Sequence, residues 1–302
     1  MTTFQDPDRI REFSLDLPRR LSLEGTATCA PWKEGASNEV WKLDIGSVPC
    51  VLKIGKLPHW RRLGIEAEIL RRLDGRSAPR LLAQGSADAV FPWDWSVLER
   101  IEGIHPFVLD RADAVSLARS LAAIRLVEIE DGMQDTGWRR FLDDRICSRM
   151  DAARGIDSAR RTLEEFERVV ARIEAFSSRG DLLDGLPAGT IHGDLIPLNV
   201  LKKPDGSFAI LDWENPRRGA ACWDLAGIRK AFRLDEGAWD ALLAGIGEPC
   251  PTEAVDFADA LQNLQVAAWR LETWWIREIR EGGDFFLVEL GQELERAARL
   301  LR

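Results

Sequence analysis

The sequence predicts an α+β protein in two lobes, a small β-rich N-terminal lobe and a larger, mostly helical C-terminal lobe. Three observations carry this expectation. The chain has 302 residues, long for a single hydrophobic core. Its first hundred residues hold short apolar runs parted by turn residues, as strands do. From Leu109 onward, apolar residues recur at steps of three and four, as helices do.

The elements follow in order. "SNEVWKLDIG" and "PCVLKIGK", separated by Gly46-Ser47, read as a β-hairpin. "LGIEAEILRRLDG" sets Leu63, Ala67, Leu70 and Leu73 at helical spacing and closes at Gly75. "WSVLERIEG" is a further strand, ended by Gly103. No low-complexity linker follows, so a short hinge is expected at about 97–103, between a lobe of residues 1–100 and one of 101–302. "ADAVSLARSLAAIRLVEI" and "RTLEEFERVVARIEAF" are amphipathic helices. A long helix begins near Pro251, with the stripe Phe257, Leu261, Leu264, Ala268, Leu271, Trp275, Ile279.

Composition narrows the function. Hydrophobic content of 45% and charged content of 30% are those of an ordinary globular protein. No apolar run reaches the roughly 18 residues of a membrane span, and the N-terminus lacks a signal-peptide centre. Five scattered cysteines suit neither a disulfide framework nor a zinc site, so a cytoplasmic protein without membrane attachment is expected. Net charge is +1 over residues 1–100 and −10 over the remainder, which discourages nucleic-acid binding and tolerates a cationic partner.

One stretch stands apart. "IHGDLIPLNVLKKPDGSFAILDWE", residues 191–214, places Asp194, Asn199 and Asp212 within or beside apolar runs, where an unpaired carboxylate is costly. Pro204-Asp205-Gly206 marks a turn between two strands. With Asp205 and Gly206 as the two central turn residues, Asn199 would stand directly opposite Asp212. Two such hard oxygen donors suit Mg²⁺ shared with substrate phosphates. Asp194 lies on the loop leading in, and Pro197 keeps that loop from being a helix interior. A carboxylate base, an amide a few residues on and a second carboxylate are the parts of phosphoryl transfer.

"HGDLIPLNVL", then "ILDWE" and "GAACWDLA", resembles the aminoglycoside phosphotransferase and choline kinase-like family of small-molecule kinases, in order over most of the chain. The resemblance implies a protein-kinase-like fold, Asp194 as catalytic base, Asn199 and Asp212 as Mg²⁺ ligands, and Asp224 as a brace for the loop. It implies that Lys53 in "CVLKIG" holds donor phosphates, with Glu66 as its ion-pair partner in preference to Glu68. Ser37 and Asn38 in "EGASNEVWKL" would border the nucleotide, and the backbone at Glu99 and Ile101 would meet its base. The family's frequent Leu-His pair after the hinge is Ile124-Arg125 here, and the chain has 12 Trp and no Tyr.

The expected activity is therefore transfer of phosphate from ATP or GTP to a hydroxyl of a small molecule. An aminoglycoside or other cationic acceptor is the first candidate; choline, homoserine or a sugar-like metabolite is the alternative, and a nucleotide-binding scaffold the least favoured. Candidates for holding a cation are Asp143, Asp144, Glu272, Glu278, Glu281 and Asp284, with Trp269, Trp274 or Trp275. Each has an ordinary alternative as solvated charge or core aromatic.

Overall fold

A computed structural model describes residues 6–34, 38–55, 62–129, 137–276 and 284–301. Packing divides the chain into two compact units, one of residues 1–129 with 197–216, the other of 130–196 with 217–302. The first unit thus takes in the 197–216 hairpin along with the N-terminal elements.

The first unit opens with a helix that hydrophobic patterning did not single out, α1 (Pro7–Leu21). Asp6 caps it by accepting from the Arg9 N–H at 3.1 Å, and Pro7 suits its first turn. Only a narrow stripe is buried, Ile10, Phe13 and Leu17 among charged neighbours, which hid it in the sequence. Strands β1 (Ala27–Glu34), β2 (Asn38–Ile45) and β3 (Val48–Gly55) follow, then α2 (Arg62–Leu73), β4 (Leu81–Gly85) and β5 (Trp95–Glu99). The strands form one antiparallel sheet in the order β1-β2-β3-β5-β4. Ile45 faces Val48 across the two-residue Gly46-Ser47 loop, where Gly46 at φ 57° supplies the left-handed backbone such turns need. Phe13 of α1 stacks on Phe91 at 3.9 Å, and Trp41, Leu43, Leu52 and Val97 complete this core. Strand β6 (Val108–Leu109) and α3 (Arg111–Arg125), capped by Asp110, come next.

The second unit begins with α4 (Trp138–Leu142), which runs into a π-helical turn (Asp143–Cys147) and α5 (Ser148–Ala153). A 3₁₀ turn (Asp157–Ala159), α6 (Arg160–Ala175), α7 (Ser177–Asp184) and β7 (Ala188–Ile191) follow. The chain then returns to the first unit for β8 (Val200–Lys202) and β9 (Phe208–Ile210), before β10 (Arg217–Ala220) pairs with β7. Helix α8 (Cys222–Ala231), β11 (Arg233–Leu234), α9 (Glu236–Ile246), α10 (Thr252–Leu271), a second π-helical turn (Glu272–Ile276) and α11 (Asp284–Leu300) close the chain. The expected α10 stripe is buried from Phe257 to Trp275; Ile279 lies outside the described residues. Among the described residues, no helix is long and apolar enough to cross a membrane.

The β8–β9 register departs from expectation by one residue. Val200 faces Ile210, and the Asn199 carbonyl accepts from the Leu211 N–H at 2.8 Å, so Asn199 does not stand opposite Asp212. The cause is loop length. Lys203 and Ser207 close the ladder round three residues, Pro204-Asp205-Gly206, with Gly206 donating to the Lys203 carbonyl at 2.9 Å. Gly206 at φ 79° is the left-handed residue that three-residue hairpin loops require.

Candidate active site

In the first unit the chemistry gathers round one ammonium. Lys53 sits on β3, a central strand, and is itself buried. Its Nζ lies 2.8 Å from the Glu66 carboxylate, 2.8 Å from Asp212 Oδ1 and 3.7 Å from Glu214 Oε1. Glu66 reaches it from α2 and is 1% exposed, whereas Glu68 turns outward to Arg71 and Arg72. Residues two apart on a helix point about 200° apart, so only one of the two acids can face the sheet. The Glu66 carboxylate also accepts from the Trp213 N–H at 3.2 Å, tying α2 to the segment after β9.

Burial by itself would discourage the Lys53 charge, but Glu66, Asp212 and Glu214 outweigh it and raise its pKa above the usual 10.5. Burial pushes the Glu66 carboxyl up, against the pull of Lys53. Three carboxylates against one ammonium leave a surplus of two negative charges. That surplus suits a divalent cation. Asp212 is the most open of the three, its side chain 43% exposed. It also holds φ 64°, a left-handed conformation that costs a non-glycine residue roughly 1–2 kcal/mol. Asn199, buried at 7%, ends a 3₁₀ turn (Pro197–Asn199) just before β8, its carbonyl bound to the residue before Asp212. Among the described residues, no group of three or more His, Cys, Asp and Glu is arranged to hold a metal. One carboxylate and one amide oxygen completed by phosphates is the arrangement Mg²⁺ takes in kinases.

The buried Asn38 amide donates to the Glu214 carboxylate, so the first residue of β2 is fastened to the acid beside Lys53. Ser37 lies outside the described residues. Glu99 ends β5 opposite Cys50, and with Ile101 it lines a cavity of about 250 Å³ shared with Gly75, Arg100 and Lys203.

Asp194 belongs to the second unit. It follows His192 and Gly193, whose N–H groups each donate to the Asp224 carboxylate at 2.9 Å. Asp224, at the first turn of α8, thereby clamps the backbone just ahead of Asp194. Of the candidate cation holders, Glu272 is paired with Arg149 at 2.7 Å and Asp144 with Arg140 at 3.2 Å. Trp275 is core and donates to Ser158, Trp274 and Trp269 are half-buried, and Glu278, Glu281 and the Asp284 side chain lie outside the described residues.

Sequence reasoning did not assign Glu214 or Arg217. Glu214 carried a signal, an acid beside a buried Trp two residues past Asp212. Arg217, buried in β10, carried none, being one of an adjacent arginine pair.

Residues 28–254 match the family described as the phosphotransferase enzyme family. A homoserine kinase from Hyphomonas neptunium (strain ATCC 15444) is 26% identical over 258 residues, 79% of this chain and 70% of that protein. Choline kinase LicA from Streptococcus pneumoniae superposes with a TM-score of 0.67 at 16% identity, covering 95% of this chain and 99% of that one. The GDP and kanamycin complex of APH(2")-IIia gives 0.69 at 15% identity, covering 96% and 99%. These structures share the protein-kinase-like fold, with its antiparallel sheet followed by a helical region.

Proposed function

The chain belongs to the phosphotransferase enzyme family and is a small-molecule kinase, and on that premise we propose that it moves the terminal phosphoryl group of ATP or GTP to an acceptor hydroxyl, with Asp194 as base. The observation carrying this reading is the buried Lys53, held at 2.8 Å by both Glu66 and Asp212. A lysine so fixed presents its ammonium to donor phosphates in one orientation. Asp212 and Asn199 would hold Mg²⁺, which when bound neutralises charge on the transferring group. Asp194 orients the acceptor hydroxyl and takes its proton, and Asp224 keeps the loop ahead of it from shifting. With Lys53, Asp194, Asn199 and Asp212 all present, a scaffold without catalysis is disfavoured.

Two acceptor classes stand. A cationic acceptor, an aminoglycoside or choline, fits the acidic second half of the chain, but Asp144 and Glu272 are already paired with arginines. An amino-acid-like acceptor such as homoserine has the support of the relative that shares 26% identity. The test is nucleotide turnover with Mg-ATP and Mg-GTP over aminoglycosides, choline, homoserine and sugars. Asp194→Ala should lower kcat by about 10²–10⁴-fold while nucleotide binding persists. Full activity of Asp194→Ala would sink the assignment.

A further inference from the structure

Arg217 is a buried cation with no hydrogen-bond acceptor among the described residues. It opens β10, is 8% exposed, and its Nε and Nη2 are buried with no partner. Its guanidinium lies over two rings, 4.7 Å from the centroid of Phe141 and 4.4 Å from that of Trp223. The ring faces attract the cation but accept none of its directed N–H bonds in the plane of the fork. Asp224 is the carboxylate whose charge it feels, yet no ion pair within 4 Å links them, and both Asp224 oxygens accept from backbone N–H groups. The other charge acting on it is Arg145, exposed on the π-helical turn after α4, which adds a second positive group. Burial first, then Arg145, push Arg217 down to about 10 against the pull of Asp224, so it stays cationic at pH 7. A planar fork with unmet donors, fixed between two rings, is the geometry that recognises a carboxylate through two parallel hydrogen bonds.

Its place in the fold says which carboxylate. Arg217 is the ladder partner of Ile191, and Asp194 is three residues beyond Ile191 in the same unit. Three residues of extended chain span at most about 10 Å. A molecule with its hydroxyl at Asp194 and a carboxylate a few bonds away is the right size to reach both. We propose that Arg217 anchors a carboxylate of the phosphate acceptor, making the substrate a short hydroxy acid or hydroxy amino acid. This deepens the kinase reading and rests on it.

The test uses the full chain and measures phosphotransfer from Mg-ATP to short hydroxy acids and 2-amino hydroxy acids, each against its primary amide. The acid should exceed its amide by about 100-fold in kcat/KM, as a lost charged hydrogen-bond pair predicts. Arg217→Lys and Arg217→Met should raise the acceptor KM at least about tenfold, leave the KM for ATP within about twofold, and erase the preference for acid over amide. Arg217→Met should not lower the melting temperature, since removing an unpaired buried charge relieves desolvation. Equal losses for acid and amide, a rise confined to the KM for ATP, or a melting temperature that falls in Arg217→Met would overturn the proposal. So would turnover of cationic or neutral acceptors alone. If no acceptor of any class is turned over, it is the underlying kinase reading that fails.

Discussion

At the scale of single residues, the site turns on how Lys53 is held. The residue types were legible beforehand: "HGD" followed by "DWE" is spaced for phosphoryl transfer, and the family resemblance those motifs carry implied the strand lysine and the helix acid. That Glu214 also closes on Lys53 and is gripped by Asn38 was not legible, since those partners lie 176 residues apart. Lys53→Met should cut kcat/KM by about 10²–10³-fold, as removal of a preorganised charge does elsewhere. A pH profile adds a sign. The folded pKa of Lys53 is raised, so its paired state is fully present below the unfolded value near 10.5 and is lost only as pH climbs through the higher folded one. Nucleotide affinity should therefore not fall between pH 7 and about 10 through loss of the Lys53 charge. A decline centred in that range that Lys53→Arg removes would contradict this.

At the scale of elements, close approach decides what periodicity cannot. Helix α7 passes so near α4 that a Cβ on Gly180 would lie 2.5 Å from the buried Trp138 indole. Alanine favours a helix over glycine by about 1 kcal/mol, but overpacking a core costs roughly 1–3 kcal/mol, so Gly180→Ala should destabilise. Gly291 in α11 is the control, because nothing lies within 4 Å of its Cβ position, and Gly291→Ala should stabilise by about 1 kcal/mol. Urea unfolding of both variants reads the two signs, and the same sign at both positions would refute the packing argument. The β8–β9 hairpin teaches a related lesson. Turn residues announced its position, but a three-residue loop moved its register by one, and period-two geometry makes one residue the difference between two faces.

At the scale of the molecule, the family match covers residues 28–254 and so includes the sheet of the first unit and the catalytic-loop elements of the second, while α1, nearly all of α10, the second π-helical turn and α11 lie outside it. Apart from Asp143 and Asp144, the acids and tryptophans first considered for the acceptor lie beyond residue 254 in the sequence, which is why the family said little about them. Nucleotide binding should be visible in the stability of the whole chain. Mg-ATP at 100 times its Kd adds about 2.7 kcal/mol, worth roughly 4 °C in a chain of this size. Asp212→Ala should abolish the part of that shift that depends on Mg²⁺. An identical shift with EDTA in wild type would remove the metal from the account.

The sequence by itself determined the class of chemistry and the order of the main elements after α1, because those reside in local spacing: turn residues between strands, three-four steps along helices, and acids set at short intervals round a loop. Only the tertiary structure decided the closure of Glu214 on Lys53, the register beside Asp212, and the isolation of Arg217 between Phe141 and Trp223. Each of these depends on chain segments far apart in sequence being packed together. Whether a buried charge finds a partner is settled by that packing, and residue spacing carries no record of it.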